Sequence, residues 1–457
     1  MKILLISPSG IMYRKKGGIF PTLLRYAPLT LTTLAALVPK ELEAEIEIVD
    51  EGVCVLDENI EADLIGISAI TGTAVRAYAL ANHFRKRGAT VVLGGVHPTL
   101  MPQEAMHHAD AVITGLAYET WPQLLRDFKN GELKKLYTQP ENINLSNLPI
   151  PRRDLLKRFS YISYGAVQAT FGCPYKCDFC AVTATSKNYL HRPITDVINE
   201  IEALGSHLII FVDPSPIEDK KYIKELWRAM IPLKKIWSGL ATVKIADDEE
   251  LMDLAVKSGC KGLLIGFETV SNEGTQIINK SFNNVSNYKE IVKKLHDRGI
   301  TINGTFMFGM DHDDKDSFKR TVDFVNEVKI DLPRYSIYTP FPGTPLFKRL
   351  EKEGRILTKN WTLYDAQHVV YKPLKMTSEE LREGQLWAWK QTYSIKSIIH
   401  RILGSGVPPY VPLITNIGYR YYAKKLKDFP ISKMEEIQFK WNPNHDSDEY
   451  ILKEEIA

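Results

Sequence analysis

Short apolar runs alternate with longer amphipathic stretches along the first part of the chain. The runs predict strands at Lys2–Ser7, Glu45–Val49, Leu64–Ala69, Thr90–Leu93 and Asp110–Thr114. Helical periodicity between them predicts helices at Leu29–Val38, Ala74–Arg87 and Tyr118–Phe128. Strands that alternate with helices form parallel sheets with right-handed crossovers. Residues 1–140 are therefore predicted to form a doubly wound, Rossmann-like α/β domain.

A second alternation of the same kind covers residues 160–346. Its apolar runs predict strands at Ala166–Thr170, His207–Val212, Gly239–Lys244, Gly262–Phe267, Thr301–Met307 and Tyr335–Tyr338. Helices are predicted between them, including Asp247–Ser258 and Tyr288–Arg298. Repeated βα units predict a full or partial (β/α) barrel, in which chemistry takes place at the carboxyl ends of the strands.

The remaining segments differ in composition from these two domains. Residues 141–159 are polar and proline-rich, which predicts a linker. Residues 347–457 lose the strand–helix alternation and predict a mainly helical C-terminal region, with a helix at Ser378–Tyr393 and a basic, aromatic helix after Gly418. The acidic run Asp311–Asp314 lacks the spacing of a calcium loop, so it predicts a solvated loop that caps a helix from Ser317.

Three cysteines follow the first predicted barrel strand at Cys-x-x-x-Cys-x-x-Cys spacing: Cys173, Cys177 and Cys180. Clustered thiolates select iron–sulfur clusters, zinc or cuprous copper. Zinc sites commonly take a second Cys or His pair, and none follows here. The spacing favours a 4Fe-4S cluster in which one iron has no protein ligand and is open to a small molecule. Cys54 and Cys260 stand alone, and Cys260 is predicted to be a small buried side chain.

With Phe179 directly before the last cysteine, this run resembles the signature of radical S-adenosylmethionine (SAM) enzymes. The resemblance implies that SAM binds the open iron and is cleaved reductively to a 5′-deoxyadenosyl radical. It also implies SAM contacts at the ends of later strands. These are Asp213 for the amino group, Gly266 and Glu268 near the ribose or methionine, and the loop at Thr339 near the adenine. Lys280 resembles a family lysine, with a solvated helix-end lysine as the alternative.

The loop from Leu93 to Thr99, Leu-Gly-Gly-Val-His-Pro-Thr, resembles the cobalamin-binding domain that precedes many radical SAM cores. The resemblance implies that the corrin ring faces the ends of the first-domain strands, at Ser68, Thr71, Gly94, Gly95, His97, Pro98 and Gly115. The Asp-x-His-x-x-Gly motif of histidine-ligated corrinoid proteins is absent, which excludes that mode of binding without excluding cobalamin. The alternative is a domain that only packs against the barrel.

These resemblances predict a cobalamin-dependent radical SAM enzyme of the hopanoid-methylase-like or magnesium-protoporphyrin-cyclase-like class. The leading hypothesis is a C-methyltransferase that acts at an unactivated carbon of a small or lipid-like substrate. Tyr364, Asp365, His368 and the segment from Trp387 to Ser397 resemble the tail of hopanoid-methylase-like members. One alternative is a radical cyclase, coupling or rearrangement enzyme. Another is a non-catalytic corrinoid or iron–sulfur sensor.

Composition limits the partners. The net charge of +3 and the absence of a basic stripe argue against nucleic acid. Five cysteines without a disulfide framework favour a reducing cytoplasm, and no apolar run is long enough for a transmembrane helix. The aromatic tail could line a substrate pocket, contact a membrane peripherally or pack over the barrel. The radical chemistry implies an electron donor such as flavodoxin or ferredoxin.

Overall fold

The computed structural model describes residues 1–10, 27–140, 142–157, 159–186 and 188–426. The strands of the first domain are β1 (Lys2–Ser7), β2 (Glu45–Asp50), β3 (Leu64–Ser68), β4 (Thr90–Gly94), β5 (Ala111–Thr114) and β6 (Leu136–Thr138). They form a parallel sheet with the order β2-β1-β3-β4-β5-β6. The helices of this domain are α1 (Leu29–Ala36), α2 (Ala74–Lys86), α3 (Val96–Leu100), α4 (Pro102–His108) and α5 (Thr120–Asn130).

Both faces of this sheet are buried, as continuous apolar strands require. Ile65 and Leu93 pack with α2 on one face, whereas Leu5 and Ile113 pack with α1 and α5 on the other. The doubly wound fold is therefore confirmed. The sequence predicted five strands and missed β6, because Tyr137 is the only buried residue of that short strand.

The second domain contains an open, parallel, barrel-like sheet. Its strands are β7 (Gly165–Val167), β10 (Leu208–Phe211), β11 (Ile236–Ala241), β12 (Cys260–Glu268), β13 (Thr301–Phe308) and β14 (Arg334–Ile337). Their order in the described residues is β14-β13-β12-β11-β10-β7. The helices around it are α6 (Ala181–Thr185), α7 (Ile194–Ala203), α8 (Lys220–Met230), α9 (Glu249–Lys257), α10 (Asn272–Ile277), α11 (Tyr288–His296) and α12 (Ser317–Val328). Because β7 and β14 are not paired with each other, the barrel is partial.

The first predicted barrel strand, Ala166–Thr170, is two strands in the structure. β7 ends at Val167, and β8 (Thr170–Phe171) pairs antiparallel with β9 (Leu190–His191). This break turns the chain out of the sheet just before the three cysteines.

The C-terminal region packs against β14. Its helices are α13 (Pro345–Lys352), α14 (Ser378–Thr392), α15 (Ile395–Ser405) and α16 (Tyr410–Lys425). Trp389 Nε1 donates to the Tyr335 carbonyl at 3.0 Å, and Tyr393 Oη donates to the Pro333 carbonyl at 2.7 Å. Packing over the barrel is thus the role of these aromatic rings.

Two expectations for the later part of the chain need correction. The last helix does not begin after Gly418 but at Tyr410, and Gly418 lies buried within it. Asp314 is the solvated member of the acidic run, and its Oδ1 accepts from the hydroxyl of Ser317, the first residue of α12, at 3.2 Å. No side chain that the structure describes caps the backbone N–H groups of α12. Asp313 is buried and accepts the backbone N–H groups of Gly309 and Met310, because the loop folds back over the barrel.

Asp311 is also not a solvated residue, because it forms two ion pairs. It pairs with Arg349 at 2.6 Å and with Arg355 at 2.7 Å. No helix in the described part of the chain is long and apolar enough to span a bilayer.

Candidate active site

Cys173, Cys177 and Cys180 lie in one loop between β8 and α6, and all three thiols are free. Gly172 turns the chain into this loop at a φ of 75°, and a Cβ there would lie 2.3 Å from the Asn188 carbonyl oxygen. Burial raises the pKa of the Cys177 thiol to about 12 and raises that of Cys173 as well. Metal and cluster ligands must be thiolates, so binding to this loop must displace the protons of these thiols.

The loop is fixed from two sides. Asn279 Nδ2 donates to the Lys176 carbonyl at 2.8 Å, which joins the loop to the segment after α10. On the other side, Tyr338 Oη donates to Asp178 Oδ2 at 2.6 Å. Asp178 and Tyr338 were not predicted from the sequence, because they are 160 residues apart and no local pattern connects them.

Glu268 and Lys280 form a buried ion pair close to Cys177. The distance from Lys280 Nζ to Glu268 Oε1 is 2.7 Å, and Nζ also donates to the Gly266 carbonyl at 2.9 Å. A Cβ at Gly266 would lie 2.2 Å from Glu268 Oε1, so the glycine makes room for the pair. Lys280 is 7% exposed, and the alternative of a solvated lysine is therefore wrong.

Glu268 occupies an unusual backbone position at the end of β12. Its φ is 66°, and the register between β12 and β13 shifts between Gly266 and Glu268. Non-glycine residues in this region are strained and concentrate at functional sites. The bulge turns the Glu268 side chain to Lys280 at the carboxyl end of the sheet.

Asp213 is fully buried at the end of β10. Its Oδ1 accepts hydrogen bonds from the backbone N–H of Ala169 at 3.0 Å and the hydroxyl of Thr170 at 2.8 Å. Its Oδ2 is buried and has no partner among the described residues. Burial raises the pKa of this carboxyl to about 6. Asp213 therefore holds the break between β7 and β8, with one oxygen left for a donor.

Phe179 and Thr339 are both neighbours of Tyr338, Phe179 through a ring contact and Thr339 along the chain. The Phe179 ring is 6.0 Å from the Tyr338 ring, measured between centroids. Thr339 is buried, and its hydroxyl donates to the Ile337 carbonyl at 3.0 Å. The hydroxyl is thus used inside the protein, and a ligand at this loop would meet its backbone.

A cavity of about 520 Å³ lies between the two domains. Ser68, Gly94, Gly95 and Gly115, at the strand ends of the first sheet, line one side. Gln168, Phe171 and Gly172, which lead into the cysteine loop, line the other. Its volume is that of a small-molecule site. The three strand-end glycines line the cavity with backbone atoms.

The other first-domain residues singled out in the sequence lie outside this lining. His97 is fully buried, with Nδ1 at 3.4 Å from the Thr71 hydroxyl and Nε2 at 3.3 Å from Glu104 Oε1. Pro98 is buried beside it. Trp361 Nε1 donates to Glu104 Oε1 at 2.9 Å. Thr71 and His97 thus connect the first domain to the C-terminal region.

The cysteine loop offers three thiols of the kind that hold an iron–sulfur cluster. Among the described residues, no three His, Cys, Asp or Glu side chains converge as one bound ion would require. Cluster ligands bind separate irons and need not converge. Three free thiols in one loop, with the ion pair of Glu268 and Lys280 nearby, suit an iron–sulfur cluster with an open iron.

Two families match the chain, and their order follows the two domains. The B12 binding domain matches residues 26–125, and the Radical SAM superfamily matches residues 167–325. In solved structures, the chain is similar to the radical SAM methyltransferase TsrM from Kitasatospora setae, with a TM-score of 0.64 and 16% identity. That match covers 95% of this chain and 99% of the other, and it shows the fold.

Curated relatives extend over nearly the whole chain. Bacteriochlorophyllide d C-12(1)-methyltransferase from Chlorobaculum tepidum is 31% identical over 82% of this chain and 85% of the relative. The C-8(2)-methyltransferase of the same organism is 28% identical over 88% of this chain and 93% of the relative. The chain belongs to the cobalamin-dependent radical SAM methyltransferases, whose cofactors are a 4Fe-4S cluster, SAM and cobalamin.

Proposed function

We propose that this methyltransferase methylates an unactivated carbon of a large apolar substrate. The observation that carries the proposal is the cavity between the domains, because one wall is the predicted cobalamin edge and the other leads into the cysteine loop. Together the bound cofactors supply a carbon radical and a transferable methyl group. A shared chamber is what such a reaction needs, since the reacting groups must approach each other closely.

The roles of individual residues follow from their positions and are part of the proposal. Cys173, Cys177 and Cys180 hold the cluster. The unpartnered Oδ2 of Asp213 accepts from the SAM ammonium group, while Glu268, held by Lys280, takes a polar group of the same molecule. Phe179 and the backbone at Thr339 border the adenine. Ser68, Gly94, Gly95 and Gly115 border the corrin.

The substrate class comes from the relatives. The names of both Chlorobaculum tepidum enzymes give bacteriochlorophyllide d as the molecule that they methylate. We therefore propose a chlorophyllide-like tetrapyrrole as the first substrate to test. The sequence predicts a small or lipid-like substrate, and a large, flat and apolar ring agrees with the second of these.

An electron donor and a membrane are the proposed macromolecular partners. A second pocket beside the cysteine loop is lined by Pro174, Lys220 and Lys244 together with Glu218 and Asp219. Because Pro174 adjoins Cys173, a flavodoxin or ferredoxin bound here would reach the cluster over a short distance. Peripheral membrane contact is proposed because apolar side chains are exposed on the C-terminal helices.

The deciding experiment is product mass after anaerobic reconstitution with iron, sulfide and cobalamin, followed by reaction with SAM, a reductant and bacteriochlorophyllide d. The expected product carries one methyl group in place of one hydrogen. A product that has only lost hydrogens would instead indicate a cyclase. Intact cofactors without SAM cleavage on any substrate tested would indicate a sensor.

Two cysteine variants serve as controls. Cys177→Ala should abolish cluster binding and SAM cleavage. Cys54→Ala should leave both unchanged, because Cys54 lies in the first domain, where its Sγ donates to the Asp50 carbonyl at 3.2 Å. Equal loss in both variants would contradict the assignment of the cluster.

A further inference from the structure

Within the described part of the chain, the helices α15 and α16 leave two apolar stripes uncovered. On α15, Ile395, Ile399 and Leu403 recur every fourth residue and are 60%, 52% and 81% exposed. On α16, Leu413, Ile414, Ile417 and Tyr421 are 46%, 61%, 49% and 45% exposed. Residues three or four apart lie on one face of a helix. Each helix therefore presents an apolar face, and together we name these seven residues the apolar face.

The opposite sides of both helices are fixed to the barrel. Ser397 Oγ donates to Asn326 Oδ1 of α12 at 2.5 Å, and Asn416 Nδ2 donates to the Asp331 carbonyl at 3.0 Å. Arg401 is fully buried and joins the two helices, since its Nη2 donates to Asn416 Oδ1 at 2.9 Å. The helices are thus held rigidly, and the apolar face points outward. Large contiguous apolar patches on a protein surface mark interaction sites.

The charge around this face identifies the chemistry of its partner. Between Glu383 and Asp428 the sequence contains no acidic residue and seven Lys or Arg residues, of which Arg401 is buried, whereas the whole chain has a net charge of only +3. Lys390, Lys396 and Lys424 are exposed. An apolar stripe bordered by cations, with no acid between them, is the pattern of helices that lie in the interface of an anionic bilayer.

We propose that the apolar face docks on the surface of an anionic lipid bilayer, with Lys396 and Lys424 directed to lipid phosphates. The site is independent of the methyl-transfer chemistry, because none of its residues lies at either cofactor site. The apolar face is thus the surface that makes the peripheral membrane contact proposed above, and its lysines select anionic lipids.

The position of the face sets the orientation of the enzyme. Asp331 precedes β14 and accepts the backbone N–H of Ile302 at the start of β13, so α16 lies at the amino-terminal end of these strands. The cysteine loop lies near their carboxyl ends, where Tyr338 follows β14. A docked enzyme would therefore keep its catalytic end away from the bilayer, and vesicles should leave the cleavage of soluble SAM unchanged.

The test is sedimentation of the reconstituted holoenzyme with vesicles. We expect at least about tenfold more bound protein on phosphatidylcholine vesicles that contain phosphatidylglycerol than on phosphatidylcholine alone. Binding should fall with added salt, because the lysine contribution is screened. No preference for anionic vesicles would overturn the proposal.

Matched variants locate the surface. Ile399→Glu with Ile414→Glu should reduce binding by more than about tenfold, since both carboxylates would have to enter an apolar, anionic interface. Val55→Glu with Leu374→Glu should bind as the wild type does, because these residues are 76% and 61% exposed elsewhere. Equal binding of the two double variants would overturn the proposal.

Lysine variants and the oligomeric state distinguish lipid binding from self-association. Lys396→Gln with Lys424→Gln should weaken the preference for anionic vesicles without changing an apolar residue. A wild-type dimer that only Ile399→Glu with Ile414→Glu dissociates, without vesicle binding, would show that a second copy covers the face and would overturn the lipid proposal. SAM cleavage by Ile399→Glu with Ile414→Glu measures separately whether the catalytic domains are intact. A failed methyltransferase assay would therefore not count against lipid binding.

Discussion

At the scale of single residues, the pair of Lys280 and Glu268 makes the most direct prediction. Both side chains are about nine-tenths buried. Lys280→Met would leave a buried carboxylate without its cation next to the cysteine loop, which costs about 3–5 kcal/mol. We expect a lower free energy of unfolding in urea and less iron retained after desalting.

Lys289→Met is the matched control for this prediction. Lys289 pairs with Glu327 at 3.0 Å, but the two side chains are 74% and 62% exposed. An exposed pair contributes at most about 1 kcal/mol. If both lysine variants unfolded alike, the buried pair would not stabilise the site as we infer.

Asp213 predicts a dependence of stability on pH. The pKa of this carboxyl is about 6 in the fold, against an ordinary value of 3.8. Between these pH values the folded chain binds more protons than the unfolded one, so the contribution of Asp213 to stability falls as pH rises and is constant above about pH 7. Asp213→Asn removes this dependence. Relative to wild-type apoprotein, the variant should gain about 3 kcal/mol between pH 3 and 7.

Urea unfolding of both proteins across that range measures this difference. The comparison isolates the contribution of Asp213 to stability, because the wild type and the variant share all other titrating carboxyl groups. A constant difference between wild type and variant would mean that the Asp213 pKa is not raised. A difference that moves in favour of the wild type with rising pH would mean that the carboxylate is stabilised by a cation.

At the scale of elements, the connection from β4 to α3 depends on Gly95. Its φ is 99°, and a Cβ there would lie 2.7 Å from the Ala69 carbonyl oxygen. Gly88 has a φ of 90° but no atom within 4 Å of such a Cβ. Gly88→Ala should therefore cost only the backbone strain of about 1–2 kcal/mol. Gly95→Ala adds a clash that costs about 1–3 kcal/mol more.

Cobalamin retention is a second measurement that separates Gly95→Ala from Gly88→Ala. Because Gly95 lines the cavity between the domains, Gly95→Ala should lose bound corrin absorption after desalting, whereas Gly88→Ala should keep it. Retention by both variants would show that the β4–α3 connection does not shape the cobalamin site.

Elements were easier to predict from the sequence than the contacts between them. Most strand bounds agree within about two residues, because each strand is an apolar run with polar or glycine flanks. The short strand β6 failed this rule because only Tyr137 is buried in it. Gly418 misled the prediction of α16, since a glycine inside a helix can be required by close packing rather than mark an end.

The candidate site was likewise easier to predict where its residues are close together in the sequence. Local motifs predicted the cysteine loop and, in the first domain, the cavity-lining residues Ser68, Gly94, Gly95 and Gly115. Their contacts with cofactors stay predictions. The contact of Asp178 with Tyr338 and the burial of Lys280 depend on residues distant in sequence. His97 is the opposite case, a residue that a local motif placed at the cofactor. In the fold its side chain is surrounded by Thr71, Glu104 and Trp361.

At the scale of the whole molecule, Trp361 connects the first domain to the C-terminal region. It is 2% exposed, donates to Glu104 Oε1 at 2.9 Å and lies against the His97 ring at 5.5 Å. Trp361→Ala would open a void at this contact and leave Glu104 with fewer donors, which costs about 3–5 kcal/mol. Because the cavity between the domains depends on their relative position, cobalamin retention should fall together with stability.

Trp387→Ala is the control, since this tryptophan is 39% exposed on α14 and its loss leaves no enclosed void. Differential scanning calorimetry of the two variants should show an intact single transition for Trp387→Ala. For Trp361→Ala we expect an earlier transition that corresponds to the first domain, because its contact with the C-terminal region is weakened. A Trp361→Ala protein that retains cobalamin and unfolds like the control would show that the interface between the barrel and the first sheet is sufficient to hold the two cofactor sites together.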